Sequence, residues 1–163
     1  MYGDKTMPRN ASDFTPKFGT GARLPHAWIT FEDGKTPRGI GPVDVSYVKE
    51  LSEKEILARR YSTLDLCYFD TFTLIVASRD VWTTCYNEVV KRMVPRNIKV
   101  QLWAVDLDFS FVDSQQRELW HRNGLTGGDA FLVRPDQHIL APVSIGATSD
   151  SIADLINLHL GIL

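Results

Sequence analysis

Phe72-Thr73-Leu74-Ile75-Val76-Ala77, followed at once by Ser78-Arg79-Asp80, carries the strongest fold signal in the chain. A short run of apolar, β-branched and aromatic residues without polar alternation predicts a strand buried on both faces, as in a parallel sheet. Downstream, Trp82, Cys85, Tyr86, Val89 and Met93 recur three and four apart. That spacing predicts a helix that lays one apolar stripe on a sheet, with Asp80 as its N-cap and Pro95 as its stop. Ile98 to Val105 then reads as a second strand, so the segment is a β-α-β unit.

Working outward, Ser114 to Arg122 reads as a helix stopped by Asn123-Gly124. Phe131–Arg134 and His138–Val143 read as antiparallel strands joined by a Pro-Asp turn. A last helix is expected from about Asp150 to Leu160, with Ile152, Leu155, Ile156 and His159 on one face and Gly161 as its stop. The order βαβα then ββα is that of a thioredoxin-like α/β fold, with a central mixed sheet of four to five strands flanked by helices. Upstream, His26 to Phe31 reads as a short strand closed by Glu32-Asp33-Gly34. Pro37, Gly39, Gly41 and Pro42 punctuate a loop, and Ser52-Glu53-Lys54-Glu55 reads as the capped start of a surface helix within Val48–Arg60. The expected organisation is an extended arm over residues 1–20 and one domain over 21–163, carrying an inserted loop and helix at about 33–60.

Composition bounds the function. At 163 residues, 44% hydrophobic and 23% charged, the chain has the make-up of a soluble globular domain. A net charge of −2 with scattered basic residues gives no electrostatic footprint for nucleic acid or an anionic membrane. No apolar run approaches the ~20 residues that span a bilayer, and the first residues lack a signal-peptide pattern. Cys67 and Cys85, the only cysteines, are too few for a disulfide scaffold, and a cytoplasmic location is the expectation.

Three further stretches point to a family. Gly21-Ala22-Arg23-Leu24-Pro25-His26-Ala27-Trp28-Ile29 comes first. Ser62-Thr63-Leu64-Asp65-Leu66 follows and leads into Phe72-Thr73-Leu74-Ile75-Val76, and Phe131-Leu132-Val133-Arg134-Pro135-Asp136 comes last. In that order, over roughly residues 18–140, they resemble the C-terminal thioredoxin-like domain of the FAD-dependent aromatic (phenol and dichlorophenol) hydroxylases. The resemblance implies a domain whose parent enzymes keep the flavin and the oxygen chemistry in a large N-terminal domain that this sequence lacks. It also implies subunit contacts, hence an expected homodimer or a flavin hydroxylase partner. Where the family commonly continues Arg-Pro-Asp with glycine and a later tryptophan-arginine pair, this chain has Gln137-His138-Ile139-Leu140-Ala141-Pro142.

Several chemistries are excluded by what stands at the critical positions. A redox thioredoxin needs Cys-x-x-Cys where the first core strand meets its helix; here Ala77-Ser78-Arg79-Asp80 stand there. Gly19-Thr20-Gly21 lacks the strand–turn–helix context of a dinucleotide site, and the four histidines show no metal-ligand spacing. No cofactor and no metal are therefore expected. His121, at a helix end, is placed where a cation is favoured. In an open α/β sheet, ligands gather beyond the carboxyl ends of the parallel strands. That edge should collect Ser78, Arg79 and Asp80 after one strand, Asp106 and Asp108 after the other, and Asp129 at the start of the antiparallel strand, with Trp82 as an apolar wall. Together with His26, these residues are the candidates for acid–base work on a bound carbonyl or phenol. The leading expectation is a stand-alone, cofactor-free cyclase or isomerase acting on an aromatic or polyketide-like intermediate. The alternative is a non-catalytic dimerisation or docking module for a separate flavin hydroxylase, and a third reading is a fragment of a longer hydroxylase.

Overall fold

A computed structural model describes residues 16–32, 35–37, 41, 44 and 47–162. Most of the N-terminal arm and much of the Gly/Pro-rich loop lie outside them. The elements are β1 (Trp28–Phe31), α1 (Glu53–Ala58), β2 (Tyr61–Ser62), β3 (Thr71–Val76), α2 (Arg79–Met93), β4 (Lys99–Ala104), β5 (Phe109–Phe111), α3 (Ser114–Trp120), β6 (Ala130–Val133), β7 (Ile139–Val143) and α4 (Ser149–Leu160).

The described residues form two sheets, not one. The central sheet has the order β4-β3-β6-β7. β3 and β4 run parallel, with Leu74 opposite Leu102, while β6 is antiparallel to both β3 and β7. β1 lies outside this sheet, between β2 and β5 in a three-stranded antiparallel sheet. The sequence reading lacks β2 and β5: Tyr-Ser and Phe-Ser-Phe are too short to show a period, and their partner β1 is far upstream.

The strand period of two sorts the core into two layers. Phe72, Leu74, Val76, Ala130 and Leu132 turn to one side and meet Trp82, Val89 and Met93 of α2 and Ile152 and Ile156 of α4. Ile75, Phe131 and Val133 turn to the other and meet Ile29, Phe109, Phe111 and Trp120. Every residue of β3 is buried, as a strand covered on both faces requires. Phe18, at the end of the arm, sits edge-on to Trp120 with ring centroids 5.4 Å apart.

Three local expectations are corrected and one is met. Asp80 does not cap α2: Ser78 holds the extended cap position, with φ −136°, and Asp80 is already in the first helical turn. The helical path after α3 breaks at Gly124, whose φ of 179° is not helical, which is where the sequence places the stop. Gly124 is also tightly packed, since a Cβ there would fall 1.9 Å from Phe131 Cζ. His159, expected to be partly buried, is exposed and only brings its ring edge to Phe72. Cys85, on the apolar stripe, is half-buried rather than core.

Both outer edges of the central sheet are blunted. The Val105 amide reaches Val76 O, so Ala104 and Val100 turn their peptide groups outward. Asp108 takes the Ala104 N–H at 2.7 Å, and Tyr86 Oη donates to Val100 O at 3.1 Å. On the far side, Ile139 exchanges hydrogen bonds of 2.8 Å with Gly21 N and Ala22 O, and Pro142 offers no N–H. A dimer made by extending this sheet would have to displace those bonds.

Candidate functional site

The strand-end edge is where the sequence places the chemistry. β3 ends at Val76 and delivers Arg79 into the first turn of α2; β4 ends at Ala104 and delivers the turn that carries Asp106 and Asp108. The Asp108 side chain is only 3% exposed. Its Oδ1 accepts Lys35 Nζ at 2.5 Å, and its Oδ2 accepts both the Ala104 N–H at 2.7 Å and the guanidinium of Arg79. Burial by itself would raise the Asp108 carboxyl, but the bonds from Lys35, the Ala104 amide and Arg79 outweigh it and hold the group below the usual carboxylate range. A carboxylate so held is a fixed anion with no proton to give and no lone pair facing open space.

The other candidates do not converge on it. Asp106, in the left-handed region at φ 61°, pairs with Arg117. Asp129 Oδ1 accepts the Ile145 amide at 2.9 Å and so holds the loop between β7 and α4. Trp82 is not an exposed wall: it is buried, and its indole donates to Gly128 O at 2.7 Å, fixing the turn ahead of β6. Asp80 is exposed and makes no hydrogen bond or ion pair with a described residue. Of the six candidates, only Arg79 and Asp108 touch.

His26 lies on the other sheet, within a clasp between the first two motif stretches. Its Nδ1 is 2.7 Å from Ser62 Oγ, and its ring stands edge-on to Trp28 with centroids 4.6 Å apart. Partial burial lowers the His26 pKa from its ordinary value, against the opposing pull of Asp65. Thr63, fully buried, donates to Pro25 O at 2.7 Å and accepts the Ala27 amide at 3.0 Å. Ser62 and Asp65 cap one another across the short 3-10 turn Thr63–Leu66. Leu66 O then receives Gln101 Nε2 at 2.6 Å and Trp103 Nε1 at 3.1 Å, which fastens the clasp to β4. In the third stretch, Arg134 pairs with Asp136 to close the turn between β6 and β7. His26, Ser62, Thr63, Asp65, Arg134 and Asp136 each make a polar contact with another residue of the three stretches.

His121 corrects a further expectation. It caps the C-terminus of α3 as expected, but burial together with the charge of Arg117 lowers its pKa against the pull of Asp106, so this position does not favour a cation. Burial pushes the Cys67 thiol up to about 12 and raises that of Cys85, so neither is a poised thiolate. Among the described residues no three His, Cys, Asp or Glu side chains are grouped to hold a metal ion, and no helix is long and apolar enough to cross a membrane.

Sequence reasoning also missed a hollow of about 380 Å³ against the three-stranded sheet, lined by Ile29, Phe31, Leu57, Arg60 and Tyr61 with Glu32 and Lys35 at its rim. The dipeptide Arg59-Arg60 and the aromatic residues of β1 and β2 were visible, but nothing in their spacing said that they meet.

No protein-family model and no curated protein sequence matches the chain. Solved structures that share its fold include two flavin-dependent enzymes. A ternary complex of aklavinone-11 hydroxylase with FAD and aklavinone superposes with a TM-score of 0.53 at 17% identity, over 83% of this chain and 20% of that one. The flavin-dependent monooxygenase PieE, in complex with FAD and substrate, superposes with a TM-score of 0.53 at 20% identity, over 96% of this chain and 23% of that one. The chain thus corresponds in fold to about a fifth of the length of these flavin hydroxylases.

Proposed function

We propose that the chain is a non-catalytic tail module of a flavin-dependent aromatic hydroxylase: a thioredoxin-like unit that seats against a flavin-binding body which performs the oxygen chemistry. The strand order β4-β3-β6-β7 with its β-α-β and β-β-α connections supports the thioredoxin-like assignment. The fold shared with a fifth of two flavin hydroxylases supports the tail assignment.

The observation that carries the non-catalytic part is the state of Asp108. It is the one buried carboxylate among the described residues, and it is spent on Lys35, Arg79 and a backbone amide. Cofactor-free cyclisation or isomerisation of an aromatic or polyketide-like intermediate needs an acid or base within reach of the substrate. At this edge Asp80 alone is unengaged, and it is exposed to water.

Sedimentation of the purified chain with the flavin-binding body of an aromatic hydroxylase from the same source, trimmed of its own tail segment, tests the reading. A one-to-one complex at micromolar concentration is the expected result. Independent sedimentation overturns docking, and turnover of a phenol or aryl ketone by the chain alone, abolished in Asp80→Asn, would put the catalytic reading in its place.

A further inference from the structure

The hollow between α1 and the three-stranded sheet combines two features seldom left together on a surface without use. Its floor is aromatic and apolar: Phe31 and Tyr61 stand edge to face with centroids 5.0 Å apart, and Phe31 also meets Trp103 at 5.5 Å. Leu57 of α1 stands over it, 53% exposed despite its size. Arg60 lines the hollow and forms no hydrogen bond or ion pair with a described residue. Of the other charged groups lining it, Lys35 is neutralised by Asp108, and Glu32 keeps its charge while accepting the Ser110 hydroxyl at 2.8 Å, so among the described residues there Arg60 is the one cation left to pair with a ligand.

We propose that this hollow binds a small aromatic carboxylate, its ring against Phe31, Tyr61 and Leu57 and its carboxylate on the guanidinium of Arg60. A planar guanidinium presents paired donors that match the two oxygens of a carboxylate, which a lone ammonium does not. An edge-to-face aromatic pair leaves a ring edge and a ring face open to a third ring. The volume of about 380 Å³ falls within the range of small-molecule sites. Because the hollow is open to solvent on one side, affinity is modest, with Kd on the order of 1 mM or somewhat below. The hollow borders the Asp108 edge through Lys35, but the docking reading makes no use of Arg60, Leu57 or Tyr61, so the site stands or falls separately from that reading.

The test uses 2-naphthoate as probe, followed by ¹H–¹⁵N chemical-shift mapping of the full chain. Saturable shifts confined to Ile29, Phe31, Leu57, Arg60 and Tyr61 are expected. Arg60→Ala should weaken binding about tenfold, Arg60→Lys by less, and Leu57→Ser by several-fold. Arg60 and Leu57 are surface positions, so unchanged spectra away from the hollow verify that each variant is folded. Cyclohexanecarboxylate, which keeps the charge and loses the ring, and 2-naphthylmethanol, which keeps the ring and loses the charge, should each bind at least about fivefold more weakly. Shifts that do not saturate, that scatter over the surface, or that are indifferent to Arg60→Ala overturn the site. Equal binding of cyclohexanecarboxylate overturns its aromatic character.

Discussion

Lys35, on the segment that follows β1, reaches Asp108, in the turn that follows β4, with Nζ 2.5 Å from Oδ1. On the other oxygen Asp108 holds Arg79 at the start of α2. One carboxylate therefore ties the three-stranded sheet, the central sheet and the first helix of the β-α-β unit together. Removing one partner of a buried pair costs ~3–5 kcal/mol, and the figure is smaller here because both cations are more than a third exposed.

Asp108→Ala should therefore destabilise the chain by about 2–4 kcal/mol, or roughly 5–15 °C in melting temperature for a domain of this size. Arg79→Ala should cost about 1 kcal/mol or less. The folded state holds the Asp108 carboxyl below its unfolded value near 3.9, so as pH falls the unfolded chain binds the proton first. The contribution is complete above about pH 5 and drains away as pH drops through the carboxylate range. Urea midpoints at pH 6 and pH 3 should separate wild type from Asp108→Asn at the higher pH and bring them together at the lower. A constant gap across that range contradicts the assignment.

The clasp of the first two motif stretches has its own signature in Thr63. Replacing it with valine keeps the volume and removes the hydroxyl that serves both Pro25 O and the Ala27 amide. Two buried backbone groups then lose a partner, at about 1–3 kcal/mol, whereas Ser62→Ala, which loses a cap, should cost about 1 kcal/mol. Chemical denaturation of both variants should rank Thr63→Val as the more damaging. The reverse order would mean that the cap and His26, rather than Thr63, hold the clasp.

The β-α-β unit was legible because β3 carries an unbroken apolar run and α2 a stripe at helical spacing; both signals are local. β5 was not, because Phe109-Ser110-Phe111 becomes a strand only through register with Ile29 and Phe31. That Arg79 and Asp108 meet at the strand-end edge followed from topology alone. Which carboxylate would be buried did not, since that depends on Lys35, reaching in from a Gly/Pro-rich loop whose path no periodicity encodes. Asp80 was misassigned as the cap because its residue type suits the role, while the backbone turns into the helix two residues earlier than that requires.

Gly124 gives a test of packing rather than charge. Its φ of 179° is open to any residue, so alanine meets no backbone strain, yet the added methyl would fall within the ring of Phe131. Overpacking of this kind costs about 1–3 kcal/mol. In the double variant Gly124→Ala/Phe131→Leu the penalties should sum to less than those of the single variants, with a coupling of at least about 0.5 kcal/mol. Strict additivity would place the ring elsewhere.

His26 supplies the last prediction, and it bears on whether this residue can act as an acid near neutrality. Partial burial favours the neutral ring, so its pKa lies below the ordinary 6.5, while Asp65 opposes the shift. Asp65→Asn should therefore move the His26 titration further down, and Asp65→Glu should leave it closer to wild type. The sign for stability follows. Below pH 6.5 the unfolded chain takes up a proton that the folded chain resists, so this contribution is complete above 6.5 and is lost as pH falls through the folded pKa. Two-dimensional NMR of the imidazole between pH 4 and 8 reads the titration directly. A midpoint above the ordinary value, or one indifferent to Asp65→Asn, would show that a different carboxylate governs the ring and that the clasp is arranged otherwise around Ser62.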